Sequence, residues 1–562
     1  MQASETDSSA SPLTDEHSIR SDAPALTWLL LLLVVVCWWA AFPPIGAWPL
    51  VLLAAWGLIR AADGARSTRQ LLLATGVLFL LLWLWIQRWT ANVSGPGYPV
   101  LAAYMTCWMC LLVWLLRRFA HDRFYRAWPM ACTAPVVVVA VEYLRGCVVF
   151  GGYPWYFLGH PLIDAPALVQ FADTVGSWWG SILVAAVGGA LHDVWSRGPR
   201  AAASATIATV LLLFSVVYGG WRLDQDSTTP GPRVVGIQTN LPQDNKVGWS
   251  WAAQQDDVAG FIEMTMQAAR EDVELVVWPE TMVPGLGFEP STAASIRRTG
   301  GGFDYLVHWP AALRSLARSL DRPLLVGSPT WLGLEVVEQN GVRRLEAERR
   351  YNSAVLLDPD GRVERYDKVA LTPFGEFMPY VEHWPWLEER LLSFGAAGMS
   401  FDLLRGDEAR PLELRRSNGT TLGLATPICF EDTVASLCRR LVYADGVKRA
   451  EVMINISNDG WFGPDSAARA THALAARFRC IENRVPMLRV VNTGQTALFD
   501  SCGQVVVLLP MFEAASLPVV PELDGRSTIH GVWLGDSIAG GLLLLCLLNL
   551  LWTWLPRVTK DK

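Results

Sequence analysis

"LATPICFEDT", residues 424–433, places Cys429 at the end of an apolar run and follows it at once with Phe430, Glu431 and Asp432. A strand end is where α/β folds tend to place their chemistry. Carboxylates beside a thiol raise its pKa, so a reactive Cys429 needs a cation supplied from elsewhere in the chain. Without that cation the residue is a small buried hydrophobe.

Outward from this stretch, residues 221–530 repeat the same pattern of short β-rich runs. These are RVVGIQT, VELVVWPE, RPLLVGSPT, YNSAVLLDPDGRVERYD, TLGLATPICF, EVMINISND and LRVVNTGQTALFDSCGQVVVLL. Two of the runs read as hairpins, with turn signals at Asp360-Gly361 and Cys502-Gly503. Helical stretches fall near 250–270, 309–320, 433–446 and 466–484. The alternation predicts an α/β domain, a mixed sheet with helices on its outer face. Glu280, Cys429, Asn458 and Asp459 all fall just past strand ends.

The rest of the chain is far more apolar. The 562 residues are 52% hydrophobic and only 18% charged, with 27 Trp, which is too apolar for a purely soluble protein. Crossing a hydrocarbon core of about 30 Å takes roughly 20 residues of helix. Eight segments qualify as spans: 26–43, 46–60, 70–87, 98–116, 128–150, 178–195, 202–220 and 531–555. Residues 26–220 therefore form a membrane domain with seven spans, and 531–555 an eighth span after the α/β domain. Basic residues in short loops mark the cytoplasmic side. Arg60, Arg66 and Arg69, then Arg117, Arg118, Arg123 and Arg126, then Arg197 and Arg200, place three loops there, and the tail 556–562 agrees. The catalytic candidate, 221–530, then lies outside the cytoplasm. Residues 1–25 are polar, lack the basic start of a cleaved signal peptide and read as a disordered cytoplasmic tail.

A net charge of -7 gives no reason to expect a nucleic-acid partner. Six of the ten cysteines lie in the apolar parts, and Cys107 and Cys110 form a C-x-x-C without partner ligands, so no metal pattern emerges. Glu142 and Arg145, near the end of the fifth span, read as a structural pair, because ionisable groups at that depth are costly and usually paired. His472 has no evident partner and reads as structural.

Three motifs occur in order: VVWPET with Glu280, RYDKVALTPFGEFMPY with Lys368, and PICFED with Cys429. They resemble the Glu, Lys and Cys motifs of the carbon-nitrogen hydrolase (nitrilase) superfamily. The DKVALTPFGEFMPY form, the segment EYLRGCVVFGGYPW and the multiple spans resemble one branch in particular, the apolipoprotein N-acyltransferases. The likeness covers about residues 26–555 and implies an αββα sandwich joined to the membrane helices. Physically, Lys368 is the missing cation: it lowers the thiol pKa and can hydrogen-bond a developing oxyanion. Glu280 can accept the thiol proton as general base.

The resemblance implies further site residues. Glu376 is a second carboxylate that orients Lys368, and Glu431 supports the site from behind. Phe430 stands where family members often carry Tyr. Trp249 matches a family tryptophan that shapes substrate access, with Trp251 as the competing match. Asn352 matches a family asparagine near the site, where structural hydrogen bonding is the equal alternative.

The function so implied is acyl transfer from a phospholipid, through a Cys429 thioester, to the α-amino group of the N-terminal diacylglyceryl-cysteine of an apolipoprotein. Donor and acceptor are both lipids, which accounts for the bilayer, and the setting is the inner (cytoplasmic) membrane with a periplasmic catalytic domain. No cofactor is implied. Two other readings stay open at this level: a membrane-tethered amidase in which water resolves the thioester, and a non-enzymatic membrane protein that kept only the fold.

Overall fold

A computed structural model describes residues 23–122, 125–242, 249–270, 272–299, 302–339, 342–373, 375–377, 386 and 403–554. The two tails, except for residues 23–25, lie outside the described residues, as do Arg123 and positions 378–380 of the Lys368 motif. Each segment read as a span holds a helix: Pro24–Ala41, Leu50–Gly64, Thr68–Ile86, Gly97–His121, Met130–Tyr143, Trp178–Trp195, Ala201–Leu223 and Ser537–Trp554. Five helices among the described residues are long and apolar enough to cross a membrane: Pro24–Ala41, Thr68–Ile86, Gly97–His121, Met130–Gly151 and Ala201–Leu223.

Their packing is inside-out relative to a soluble protein. Ala201–Leu223 buries Ser204, Ala208, Ser215 and Gly219, while Val210, Leu213, Val217 and Trp221 are exposed. Small residues let helices approach closely, and a continuous exposed apolar face is stable only against another apolar medium.

The α/β part contains two six-stranded sheets among the described residues. One runs Ala515–Val519, Val234–Gln238, Leu275–Val277, Leu324–Gln339, Val342–Leu357, Val363–Asp367. The other runs Val505–Leu508, Ala497–Phe499, Met487–Val491, Val452–Ser457, Thr421–Ala425, Leu412–Arg415. Period-2 side chains sort the layers. Leu275, Val277, Leu325, Ala354 and Leu356 join Leu424, Ile454 and Leu488 in a core between the sheets. Val276, Leu324, Val326, Val355 and Leu357 face the other way, onto the helices Trp251–Ala268 and His308–Leu320. The helices Ala435–Val442 and Ser466–Asn483 cover the second sheet, completing the αββα sandwich.

One hairpin exceeds the sequence expectation. Leu324–Gln339 pairs with Val342–Leu357 along its length, from Leu324 opposite Leu357 to Gln339 opposite Val342. Its outer half carries Glu335, Glu338, Arg343, Arg344 and Glu346. A ribbon solvated on both faces shows no apolar alternation, so its sequence does not announce it. The strands Leu412–Arg415 and Ala515–Val519 and the helix Pro290–Thr299 were likewise not expected.

The two parts of the chain share buried contacts. Phe430, Phe462, Leu474, Phe478 and Ile481 of the α/β part belong to the same apolar cluster as Trp155, Tyr156 and the span helices. Arg484 takes a left-handed conformation at the end of helix Ser466–Asn483 and reaches Asp173 at 2.8 Å, both side chains fully buried. Ser177 N–H donates to Glu482 at 2.8 Å. Glu142 and Arg145 serve this junction too. Glu142 accepts from Leu158 N–H at 2.5 Å and Arg145 donates to the Trp155 carbonyl at 2.7 Å. They hold the same loop, 153–158, and each also feels the other's charge.

Candidate active site

Glu280 follows strand Leu275–Val277, Lys368 follows Val363–Asp367, and Cys429 lies just past Thr421–Ala425. Asn458 follows Val452–Ser457, so both sheets contribute strand ends. A Cβ on Gly327 would sit 2.5 Å from Glu280 Cα, so only glycine lets the neighbouring strand pass this close to the Glu280 backbone. Cys429 opens a 3-10 turn over Cys429–Thr433 with φ at 52°. Left-handed backbone is strained for a side chain with Cβ and persists where the surroundings enforce it. Asn455 Nδ2 helps by donating to the Pro427 carbonyl at 3.0 Å and to the Cys429 carbonyl at 3.2 Å.

Lys368 is 1% exposed. Its Nζ lies 2.8 Å from Glu376 Oε2 and 3.6 Å from Glu280 Oε1. Burial disfavours its charge, but Glu376 and Glu280 outweigh that and hold it above the usual lysine range, so it stays an ammonium. Glu376 is fixed in turn by Thr372 N–H at 2.7 Å. Glu280 Oε1 accepts from Asn352 Nδ2 at 2.7 Å, and Oε2 accepts from Asn458 N–H at 2.9 Å. The Asn352 carbonyl also accepts from Lys368 N–H at 2.8 Å, so this residue spans both charged groups.

The thiol departs from expectation. Burial, then the Glu280 charge, push Cys429 well above the ordinary thiol range, and Lys368 pulls it down only in part. Cys429 therefore rests as a neutral thiol. Lys368 does not pre-form a thiolate, so a base is required at the moment of attack.

Glu431 is fully buried. One oxygen accepts from Val369 N–H at 2.7 Å and Ala370 N–H at 2.8 Å, the other from Ile428 N–H at 2.8 Å, and Tyr366 Oη lies 3.0 Å from both. One carboxyl thus ties the segment after Lys368 to the residue before Cys429. Burial raises it to about 7, against the pull of these donors.

Other expected residues lie elsewhere. Phe430, 7% exposed, packs into the apolar cluster shared with the membrane helices. Trp249 donates to Asp257 at 2.8 Å and packs behind the first sheet. Trp251 packs on Tyr305, His308 and Trp309. Neither tryptophan joins the convergent set. The sequence marks Asn458 only as a strand-end residue, since a backbone N–H gives no sequence signal. His472 does have partners, Asp432 at 2.9 Å and Asp459 at 3.2 Å, on segments that the sequence does not bring together. Among the described residues no group of three or more His, Cys, Asp or Glu is arranged to hold a metal ion.

Residues 235–519 match the carbon-nitrogen hydrolase family and residues 34–190 the apolipoprotein N-acyltransferase N-terminal domain. The apolipoprotein N-acyltransferase of Methylococcus capsulatus is 30% identical over 413 residues, 73% of this chain and 71% of that protein. That of Geobacter metallireducens is 29% identical over 496 residues, 85% of this chain and 86% of that protein. Among solved structures, an amidase from Nesterenkonia sp. AN1 is 18% identical with a TM-score of 0.33, covering 58% of this chain and 98% of its own. With the family's N-terminal domain matched first, a carbon-nitrogen hydrolase domain after it and relatives matched across both, the protein belongs to the apolipoprotein N-acyltransferase family.

Proposed function

We propose that the protein moves an acyl chain from a phospholipid to the α-amino group of the N-terminal diacylglyceryl-cysteine of a lipoprotein, through a thioester on Cys429. Glu280, Lys368 and Cys429 carry the chemistry, with Asn352, Glu376 and Glu431 holding them. The observation that carries this reading is the position of the thiol: Phe430, the next residue, is buried in the apolar cluster that includes the membrane helices. A nucleophile one residue from that cluster, itself packed on the core between the sheets, suits substrates whose chains lie in a bilayer. The eight helices act as spans, and 221–530 stands on the outer face of the inner membrane, in keeping with the arginine-bearing loops.

In the first half-reaction Glu280 takes the Cys429 proton as sulfur attacks the ester carbonyl. The oxyanion forms beside the Lys368 ammonium, where a fixed charge costs no reorganisation. Collapse breaks the ester C–O bond, and Glu280 returns the proton to the leaving lysophospholipid oxygen. In the second, Glu280 takes a proton from the acceptor amine, nitrogen attacks the thioester, the C–S bond breaks, and Glu280 returns the proton to the leaving sulfur as the thiol. The donor ester already carries the free energy of the acyl group, so no activating nucleotide enters.

Incubation with phospholipid alone should leave a hydroxylamine-sensitive acyl adduct on Cys429, absent in Cys429→Ala. Adding a diacylglyceryl peptide should then discharge it as an amide. Labelling of another cysteine, or none, would remove the thioester mechanism, and hydrolysis of small amides without transfer would make the protein an amidase.

A further inference from the structure

Behind Cys429 lies a buried ionic cluster that the proposed chemistry does not use. His472, on helix Ser466–Asn483, is 1% exposed. Its Nε2 lies 2.9 Å from Asp432 Oδ1 and its Nδ1 3.2 Å from Asp459 Oδ1. Arg489, on strand Met487–Val491, donates to Asp432 Oδ2 at 3.0 Å and stands 3.7 Å from Asp459 Oδ2, with Nη2 2.9 Å from His472 Nδ1. Ser457 Oγ also donates to Asp459, at 2.9 Å.

The two carboxylates belong to the two segments that matter most. Asp432 shares the 3-10 turn Cys429–Thr433 with the nucleophile, and Asp459 follows Asn458, whose N–H holds Glu280. The ring face is seated from the other part of the chain. Trp155, in the loop held by Glu142 and Arg145, stacks on His472 with centroids 5.4 Å apart and planes at 25°. Phe462 meets the ring edge-on at 5.9 Å.

We infer that His472 is a positioning residue: bridging Asp432 and Asp459, it fixes the Cys429 turn against the segment that holds Glu280, and Trp155 seats its ring from the membrane side. The inference rests on the acyl-transfer reading for its purpose and not for its geometry. A neutral ring donates from Nε2 to Asp432 and accepts at Nδ1 from Arg489, leaving Asp459 out. A protonated ring donates from both nitrogens and bridges both carboxylates, with Arg489 Nη2 displaced from the 2.9 Å it holds to Nδ1. The charged groups facing it are Asp432, Asp459 and Arg489, and Trp155 and Phe462 supply the apolar walls. Burial lowers the ring pKa and Arg489 adds to that, but Asp432 and Asp459 prevail and raise it to about 8. The bridge is therefore complete at neutral pH and opens as pH rises through about 8.

The test is iodoacetamide alkylation of Cys429 in the full chain, read by peptide mass spectrometry from about pH 6 to about pH 9.5, with circular dichroism and melting to check folding. His472→Gln keeps a donor toward Asp432 and His472→Asn one toward Asp459, and neither side chain can take a charge. Wild type should show a break in its pH profile near 8 that both variants lose. At neutral pH the Asn variant, which frees the Cys429 turn, should alkylate about tenfold slower and the Gln variant about threefold slower, within the range that small misplacements cost. Folded variants with the wild-type rate and break would overturn the inference. Should neither fold, Trp155→Phe is read instead: it touches neither carboxylate and should slow alkylation about threefold by unseating the ring. An unchanged rate there overturns the inference equally. Alkylation uses no acyl donor, so normal alkylation behaviour without acyl transfer would refute the acyl-transfer reading and leave this one standing.

Discussion

Replacing Glu280 with Gln isolates the base from the scaffold. Glu280 Oε1 accepts from Asn352 Nδ2 at 2.7 Å and Oε2 from Asn458 N–H at 2.9 Å. A glutamine that keeps its oxygen on the Asn458 amide turns its NH₂ toward Asn352. Among the described residues Asn352 Oδ1 has no partner, so a flip of that amide restores the hydrogen bond. Lys368 keeps Glu376 at 2.8 Å. The variant should therefore fold, losing about 1 kcal/mol for the rearranged hydrogen bond. Chemistry should suffer far more. A thiol of ordinary pKa is only about 3% ionised at pH 7, each added pK unit removes a further factor of ten, and Cys429 is raised by burial and by Glu280 itself. Loss of a general base should slow single-turnover acylation by about 10²- to 10⁴-fold at neutral pH. The gap should narrow with rising pH, because hydroxide then removes the proton and the variant lacks the Glu280 charge that opposes ionisation. The assay mixes protein with excess phospholipid, quenches at intervals and quantifies the hydroxylamine-sensitive adduct on Cys429. Near-wild-type acylation at pH 7, or a deficit that stays constant with pH, would refute the assignment.

Lys368→Met strands Glu376 and Glu280 in a buried site and should cost about 3–5 kcal/mol in denaturant unfolding. Lys368→Arg keeps charge but not the compact donor, and in acylation assays both variants should lose about 10²- to 10³-fold, as for a lost oxyanion donor. Glu431→Gln leaves one acceptor oxygen for Tyr366, Val369, Ala370 and Ile428, so a buried N–H goes unmatched at about 1–3 kcal/mol; acylation should fall less than for Glu280→Gln, and an equal fall would make Glu431 the base. Reporter fusions after Arg69 and Arg126 should behave as cytoplasmic and fusions within 240–510 as external, and an internal position 400 would overturn the topology.

The helices and the three candidate residues are legible because their signals are local. Long apolar runs, arginines in short loops, and Glu280, Lys368 and Cys429 just past β-rich stretches can each be read within a few residues. Three-dimensional structure decided everything that depends on pairs far apart in sequence. The charge on Lys368 comes from Glu280 and Glu376 together, and the resting state of Cys429 comes from burial that its own neighbours do not reveal. Lys368 does pull the thiol down, but neighbouring letters carry no measure of the desolvation that pushes it up. The solvated half of the long hairpin is not legible in sequence because a two-faced ribbon has no apolar alternation. His472 had no visible partner because Asp432, Asp459 and Arg489 come from three other segments, and Trp155 from the far side of the junction. The sequence by itself determined the candidate side chains and the apolar helices, since hydropathy and motif are properties of short stretches. Only the folded chain decided their protonation and their supports, because electrostatic coupling depends on distance and burial, and neither follows from order along the chain.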